Sequence, residues 1–184
     1  MTGPDKIMII RHAEKAGPAS TTQIGVDENG SPDKHSLSIR GWQRAGALVA
    51  FFASPTRPGV AKPKSIVAAA SGDDVGIADE ESKSRRAQQT VAPLHVRIGG
   101  NYRNDIATGD EDILVERLRG YDGAALVGWT HKRIHNIAAG FVESVVPEWD
   151  DDRFDLVWII DRSPNGTYRL NILNQDLLAG DRQA

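Results

Sequence analysis

Short apolar runs, each too brief for a helix, alternate along this chain with segments whose apolar residues recur at helical spacing. Ile7-Met8-Ile9-Ile10, the run from Ser65 to Ala70 and the run from Ala124 to Trp129 read as buried strands. Between them, LSIRGWQRAGALVAFF carries Ile39, Trp42, Ala45, Val49 and Phe52 as a helical stripe, with Ser38 placed to cap it. SRRAQQTVA reads as a short helix stopped near Pro93, and GDEDILVERLRG as a helix capped by Asp110 and ended by Gly120. Ile134, Ile137, Ala138, Phe141, Val142 and Val145 predict a further helix that runs to Pro147. FDLVWII and TYRLNIL, joined by the turn Ser163-Pro164-Asn165-Gly166, predict two neighbouring strands. Strands alternating with helices predict an α/β three-layer sandwich, a mostly parallel central sheet flanked by helices. Without a repeat or a linker, residues 1–184 read as one domain.

Composition narrows the function classes. A net charge of -3 argues against nucleic acid as a partner, yet a local cluster of arginines can still receive a small anion. The chain contains 0 cysteines, which removes disulfides, thiolate metal sites and cysteine nucleophiles. No stretch is long and apolar enough to cross a bilayer, and the N-terminal apolar run breaks at once into Arg11-His12-Ala13-Glu14, unlike a signal peptide. The expectation is a cytoplasmic protein with no membrane partner.

Ligands of open α/β sheets bind outside the carboxyl ends of the strands, so those ends are read together. The first strand ends in Arg11-His12, and the strand at 124–129 runs into Thr130-His131. The strand at 65–70 leads through an acidic loop to a helix that opens on Arg85-Arg86. Arginine's planar, permanently charged fork suits phosphate oxygens. Two histidines and two arginines converging on one edge would recognise phosphate.

These motifs resemble the histidine phosphatase superfamily, the phosphoglycerate-mutase-like proteins. RHAEK is similar to that family's Arg-His-Gly signature, with Ala13 in place of the glycine. LSIRGWQRA resembles its Leu-Thr-x-x-Gly-x-x-Gln-Ala helix, SRRAQQTVAPL its Arg-Ala-x-Gln-Thr-Ala segment, and ALVGWTHKRI its strand before the second histidine. The resemblance implies a metal-independent phosphatase, without a cofactor, acting on a small phosphorylated metabolite or a phosphoprotein. It implies His12 as the nucleophile, Arg11 and Arg86 as ligands of the phosphate oxygens, and His131 as the group completing the phosphate pocket. Arg85 is the alternative to Arg86, and a hydrogen bond from His12 to a backbone carbonyl would fix its tautomer. For the acid that protonates the leaving group, Glu14, Asp73, Asp74, Glu80, Glu81 and Asp105 all compete. The alternatives in function are a phosphoglycerate-type mutase and a non-catalytic phosphate-binding module.

Other residues have plainer readings. His131 and His135 are spaced as zinc ligands on a helix, but Lys132 stands where a glutamate would follow, and no metal is expected. His35, His95, Lys15 and Lys34 read as surface groups, Trp42 and Trp129 as core. The acidic runs Asp73 to Glu81 and Glu148 to Asp152 read as solvated loops.

Overall fold

The apolar run after Lys6 becomes β1 (Lys6–Arg11), and Ile7, Met8, Ile9 and Ile10 have no exposed surface. In the computed structural model, which describes residues 3–17, 23–76 and 83–181, this strand lies inside a 6-stranded sheet. Its partners there are β2 (Ser65–Ala69), β3 (Asn101–Ile106), β4 (Ala124–Trp129), β5 (Leu156–Arg162) and β6 (Tyr168–Asn174), in the order β3-β2-β4-β1-β5-β6. The strands from β3 to β1 pair in parallel, whereas β5 runs antiparallel to β1 and β6 antiparallel to β5. The sheet is therefore mostly parallel, as the alternation of strands and helices predicts.

Successive residues of a strand face opposite sides, and the end of β4 shows what covers each side. A Cβ at Gly128 would meet Val91 and Ala87 of α3 (Arg86–Ile98). Trp129 instead donates its indole N–H to Glu111 at the start of α4 (Glu111–Arg119), at 2.9 Å. α1 (Ile39–Ala53) packs on α3, and α4 packs on α5 (His131–Ala139). Helices thus cover both faces of one sheet.

Four local expectations change. The buried side of α1 is Gly41, Arg44, Ala45, Leu48 and Phe52, so Ile39 is left exposed. The stripe is rotated because Arg44 turns inward onto Glu14 and Asp181, at 2.8 and 2.6 Å. α3 does not stop at Pro93 but continues to Ile98, with Val91 and Leu94 buried on either side of it; packing outweighs a helix-interior proline's cost of roughly 3 kcal/mol. α5 ends at Ala139 rather than near Pro147, since at Gly140 it meets Val115 of α4 so closely that a Cβ would lie 2.7 Å from its methyl groups. β3 has no counterpart in the sequence reading: Asn101, Tyr102, Arg103, Asn104 and Asp105 lack an apolar run, and the strand is an edge held by pairing with β2. The loop after β2 also contains a short helix, α2 (Gly72–Val75).

The N-terminus of α1 is drawn against the backbone that follows β1. Ser38 caps the helix by accepting from the N–H of Gly41 at 3.1 Å, and its own N–H donates to the carbonyl of Glu14 at 2.9 Å. A methyl group at Gly41 would overlap that carbonyl and come within 3.1 Å of the Glu14 nitrogen. Gly41→Ala is expected to cost about 1–3 kcal/mol by overpacking, read as a lower midpoint in urea unfolding. Arg44→Leu is expected to cost about 3 kcal/mol, because it removes the buried partner of Glu14 and Asp181 and leaves them only the longer Arg40 contacts, again read by urea unfolding.

Candidate phosphate-binding site

The residues after β1 are fixed by their main chain before any side chain is considered. The N–H of His12 donates to the carbonyl of Trp129 at 2.9 Å, extending the β1–β4 ladder beyond the strand. The N–H of Ala13 donates to the hydroxyl oxygen of Thr90 at 2.8 Å, and that hydroxyl donates to the carbonyl of Arg86 at 2.7 Å. Thr90 therefore links the first turn of α3 to the residue beside His12. Its neighbour Gln89 accepts from the N–H of Leu37 and donates to the hydroxyl of Ser36, at 2.9 and 2.8 Å. The Gln-Thr pair of the motif sets loop positions rather than facing a ligand.

His12 is buried, and its Nδ1 lies 2.8 Å from the carbonyl oxygen of Ala13. A neutral ring then donates from Nδ1 and keeps the lone pair on Nε2. Burial pushes the pKa of His12 down to about 3, with further lowering from the charges of Arg11, Arg86 and His131 against the opposing Ala13 hydrogen bond. The ring is neutral at physiological pH for a reason visible in its surroundings: it is a desolvated base among cations.

Arg11 and Arg86 come to the same place from different elements. Arg11 ends β1 with its Nη1 donating to the carbonyl oxygens of Asp151 and Arg153 at 2.5 and 3.2 Å, and its guanidinium lies 3.8 Å over the ring of Phe154. Burial lowers its pKa to about 10, which leaves it charged. Arg86 is the first residue of α3 and donates from Nη2 to the carbonyl of Lys34 at 2.9 Å. Burial lowers its pKa too, partly offset by the charge of Asp33. The Nε atoms of both arginines are buried without a hydrogen-bond partner. Arg85, the alternative, instead pairs with Glu28 at 2.9 Å.

His12 and Arg86 line a cleft of about 170 Å³, together with Ala70, Ser84, Thr108 and Thr130. His131 is the first residue of α5 and is buried. Burial and the charge of Arg11 lower its pKa, while Asp151 opposes them. Arg11, His12, Arg86 and His131 thus form one electrostatically coupled group at the carboxyl edge of the sheet.

The carboxylates expected to compete for a proton-donating role are mostly occupied. Glu14 is buried and paired with Arg44 and Arg40 at 2.8 and 3.2 Å. Asp105 pairs with Arg117 at 2.7 Å, and Asp74 accepts from Ser71 and Gln88. Asp73 sits exposed on α2, and Glu80 and Glu81 lie outside the described residues. His95 stacks on Tyr102 at 4.9 Å, near the far end of α3. Trp129 is core, as expected; Trp42 is half-buried and donates to the carbonyl of Val26.

The carboxylates of the acidic run Glu148 to Asp152 are solvated, as expected, and the run also borders the site. Asp151 Oδ1 lies 2.8 Å from Nε2 of His131, and Phe154 faces both Arg11 and His12. The reason is topological: β5 is antiparallel to β1, so the segment entering β5 starts where β1 ends. Asp151, Phe154, Ser84 and Thr108 were missed. The apolar turn after α5 and the pair FDLVWII/TYRLNIL held the signal for the first two, had the direction of β5 been fixed.

No protein-family model matches this sequence, and no curated protein matches it. Solved structures do. The protein histidine phosphatase SixA, in a complex with tungstate, aligns at a TM-score of 0.57 and 10% identity, over 92% of this chain and 97% of that one. Mycobacterial hydrolase 1 aligns at a TM-score of 0.54 and 12% identity, over 92% of this chain and 98% of that one. Along nearly its whole length, this chain has the phosphoglycerate-mutase-like fold of the histidine phosphatase SixA.

Proposed function

We propose that this chain is a metal-independent phosphatase that hydrolyses a phosphomonoester or a phosphoprotein through a phosphohistidine on Nε2 of His12. The observation that carries the reading is the state of that ring: neutral, held by the Ala13 carbonyl, and lining a cleft with Arg86. The shared fold with a protein histidine phosphatase that binds tungstate, a tetrahedral oxyanion like phosphate, is consistent with it.

In this mechanism Nε2 attacks phosphorus as the bond to the leaving oxygen breaks, and that oxygen takes up a proton. Water then attacks the phosphohistidine; the N–P bond breaks, its electrons return to Nε2, and the water loses a proton. Arg11 and Arg86 neutralise charge on the equatorial oxygens, the main demand of phosphoryl transfer. The N-terminus of α3, where Arg86 stands, adds a positive dipole end. The small cleft favours water over a second substrate hydroxyl as the acceptor, hence hydrolase over mutase.

Aryl phosphate hydrolysis is expected to persist in EDTA and to fall at least 1,000-fold in His12→Ala, on the order of what loss of a nucleophile and its base costs. Full activity in the variant removes the nucleophile assignment. Activity abolished by EDTA removes metal independence, and acid-labile label on histidine separates turnover from mere binding.

The depressed pKa of His12 has a signed consequence for stability. Between about pH 6.5 and pH 3 the unfolded chain binds a proton that native His12 refuses, so stability is lost as pH falls through that window. Urea unfolding should show this acid loss reduced in His12→Gln, by up to about 1.4 kcal/mol per pH unit. An unchanged pH dependence would mean that His12 is not held neutral by the fold.

A further inference from the structure

The loop between α5 and β5 brings a carboxylate among the cations of the site, and the reaction above makes no use of it. Trp149 anchors that loop: it is buried, packs on Trp158 with ring centroids 5.3 Å apart, and donates to the carbonyl of Arg153 at 2.8 Å. Around the anchor, Glu148, Asp150, Asp151 and Asp152 are exposed. Glu148 lies 3.2 Å from Nδ1 of His135, whereas Asp151 meets residues of the site itself. Its Oδ1 lies 2.8 Å from Nε2 of His131, although its side chain is 85% exposed. Its main-chain oxygen accepts from Arg11 at 2.5 Å. Because Nδ1 of His131 is buried without a partner, Nε2 is the ring nitrogen that an anion in the site can reach. Asp151 therefore holds an anion position of the phosphate group's own receptor.

We propose that Asp151 is a specificity-determining residue: an incoming phosphoryl group displaces its carboxylate from His131, and the displaced carboxylate pairs with a cationic group that the substrate carries beside the phosphoryl. The inference rests on the phosphoryl-transfer reading of the site. A phosphoryl dianion and a carboxylate cannot share one ring N–H, since like charges a few ångströms apart repel strongly where water is partly excluded. The displaced carboxylate cannot go far, because its loop is pinned by Trp149 and by the Arg11 hydrogen bonds. It stays at the rim of the site, with Glu148, Asp150 and Asp152 adding to a negative potential there. A substrate with an amine or guanidinium next to its phosphoryl group restores the partner that Asp151 loses. One with an anionic neighbour meets repulsion.

The test uses the full chain as wild type, Asp151→Asn and Asp151→Glu, with matched substrate pairs. One pair is a phosphoserine peptide with arginine or with glutamate beside the phosphoserine; the other is O-phosphoethanolamine and phosphoglycolate. Wild type is expected to favour the cationic member about twofold to fivefold in kcat/KM, the range of an exposed ion pair. Asp151→Glu keeps that preference and Asp151→Asn loses it. Titrated through the histidine ring resonances, inorganic phosphate binds Asp151→Asn threefold to tenfold more tightly than wild type, because an internal competitor is gone. Which pair shows the preference tells whether the cation belongs to a peptide or to a small molecule. A preference retained in Asp151→Asn, none in wild type, or phosphate binding that does not tighten overturns the proposal. If the phosphatase reading itself fails, the result is different: His12→Ala keeps its aryl phosphatase activity.

Discussion

The main chain from His12 to Glu14 is held from three directions, and the geometry of the carboxyl edge depends on that clamp. β4 takes the N–H of His12, Thr90 of α3 takes the N–H of Ala13, and Ser38 at the head of α1 binds the carbonyl of Glu14. Each bond alone is worth about 1 kcal/mol net. Together they tie one strand neighbour and two helices to three consecutive residues. A ring attached to such a backbone has few ways to shift, as the proposed in-line attack on phosphorus requires. The tightness also explains the glycine at position 41, where no side chain fits between helix and strand end.

Charge is managed differently on the two sides of this clamp. Behind it, Arg44 is almost fully buried and satisfied by Glu14, Asp181 and Gln175, so its positive charge is neutralised within the fold. The Arg44 bonds hold Asp181 with a pKa lowered to about 2, and they tie the C-terminal segment onto α1. In front of the clamp, Arg11 and Arg86 bond mainly to carbonyl oxygens, which carry partial rather than full charge. Their cationic field acts on His12. Arginines of equal formal charge thus differ in setting: Arg44 is bound by carboxylates, Arg11 and Arg86 mainly by carbonyl oxygens.

Much of this was legible in the sequence because it depends on local pattern. The apolar runs gave β1, β2 and β4, and the rule about strand ends brought Arg11-His12 and Thr130-His131 to one edge. Ser38 and Gly120 mark helix ends through capping chemistry that acts over a few residues. What was not legible depends on partners distant in sequence. Arg44 lies on the buried side only because Glu14 and Asp181 await it, and Asn101 to Asp105 form a strand only because β2 offers an edge. Pro93 is tolerated because core contacts on both sides of it outweigh a local rule. Asp151 is solvated, as its acidic run suggests; its contact with His131 was not legible because it depends on the direction of β5.

The reversal of direction at β5 also decides what lies at the opposite pole of the sheet. The turn from Ser163 to Thr167 joins β5 to β6, where Lys6 at the start of β1 faces Asp161. It is closed by its own bonds, Gly166 to Ser163 and Ser163 to Thr167, and stands a full strand length from His12. A fluorophore or an inserted epitope placed there would travel with the molecule as a passive marker. The same hairpin that carries a rim of the cleft at one end thereby supplies, at the other, a handle for immobilisation that leaves the cleft facing solution.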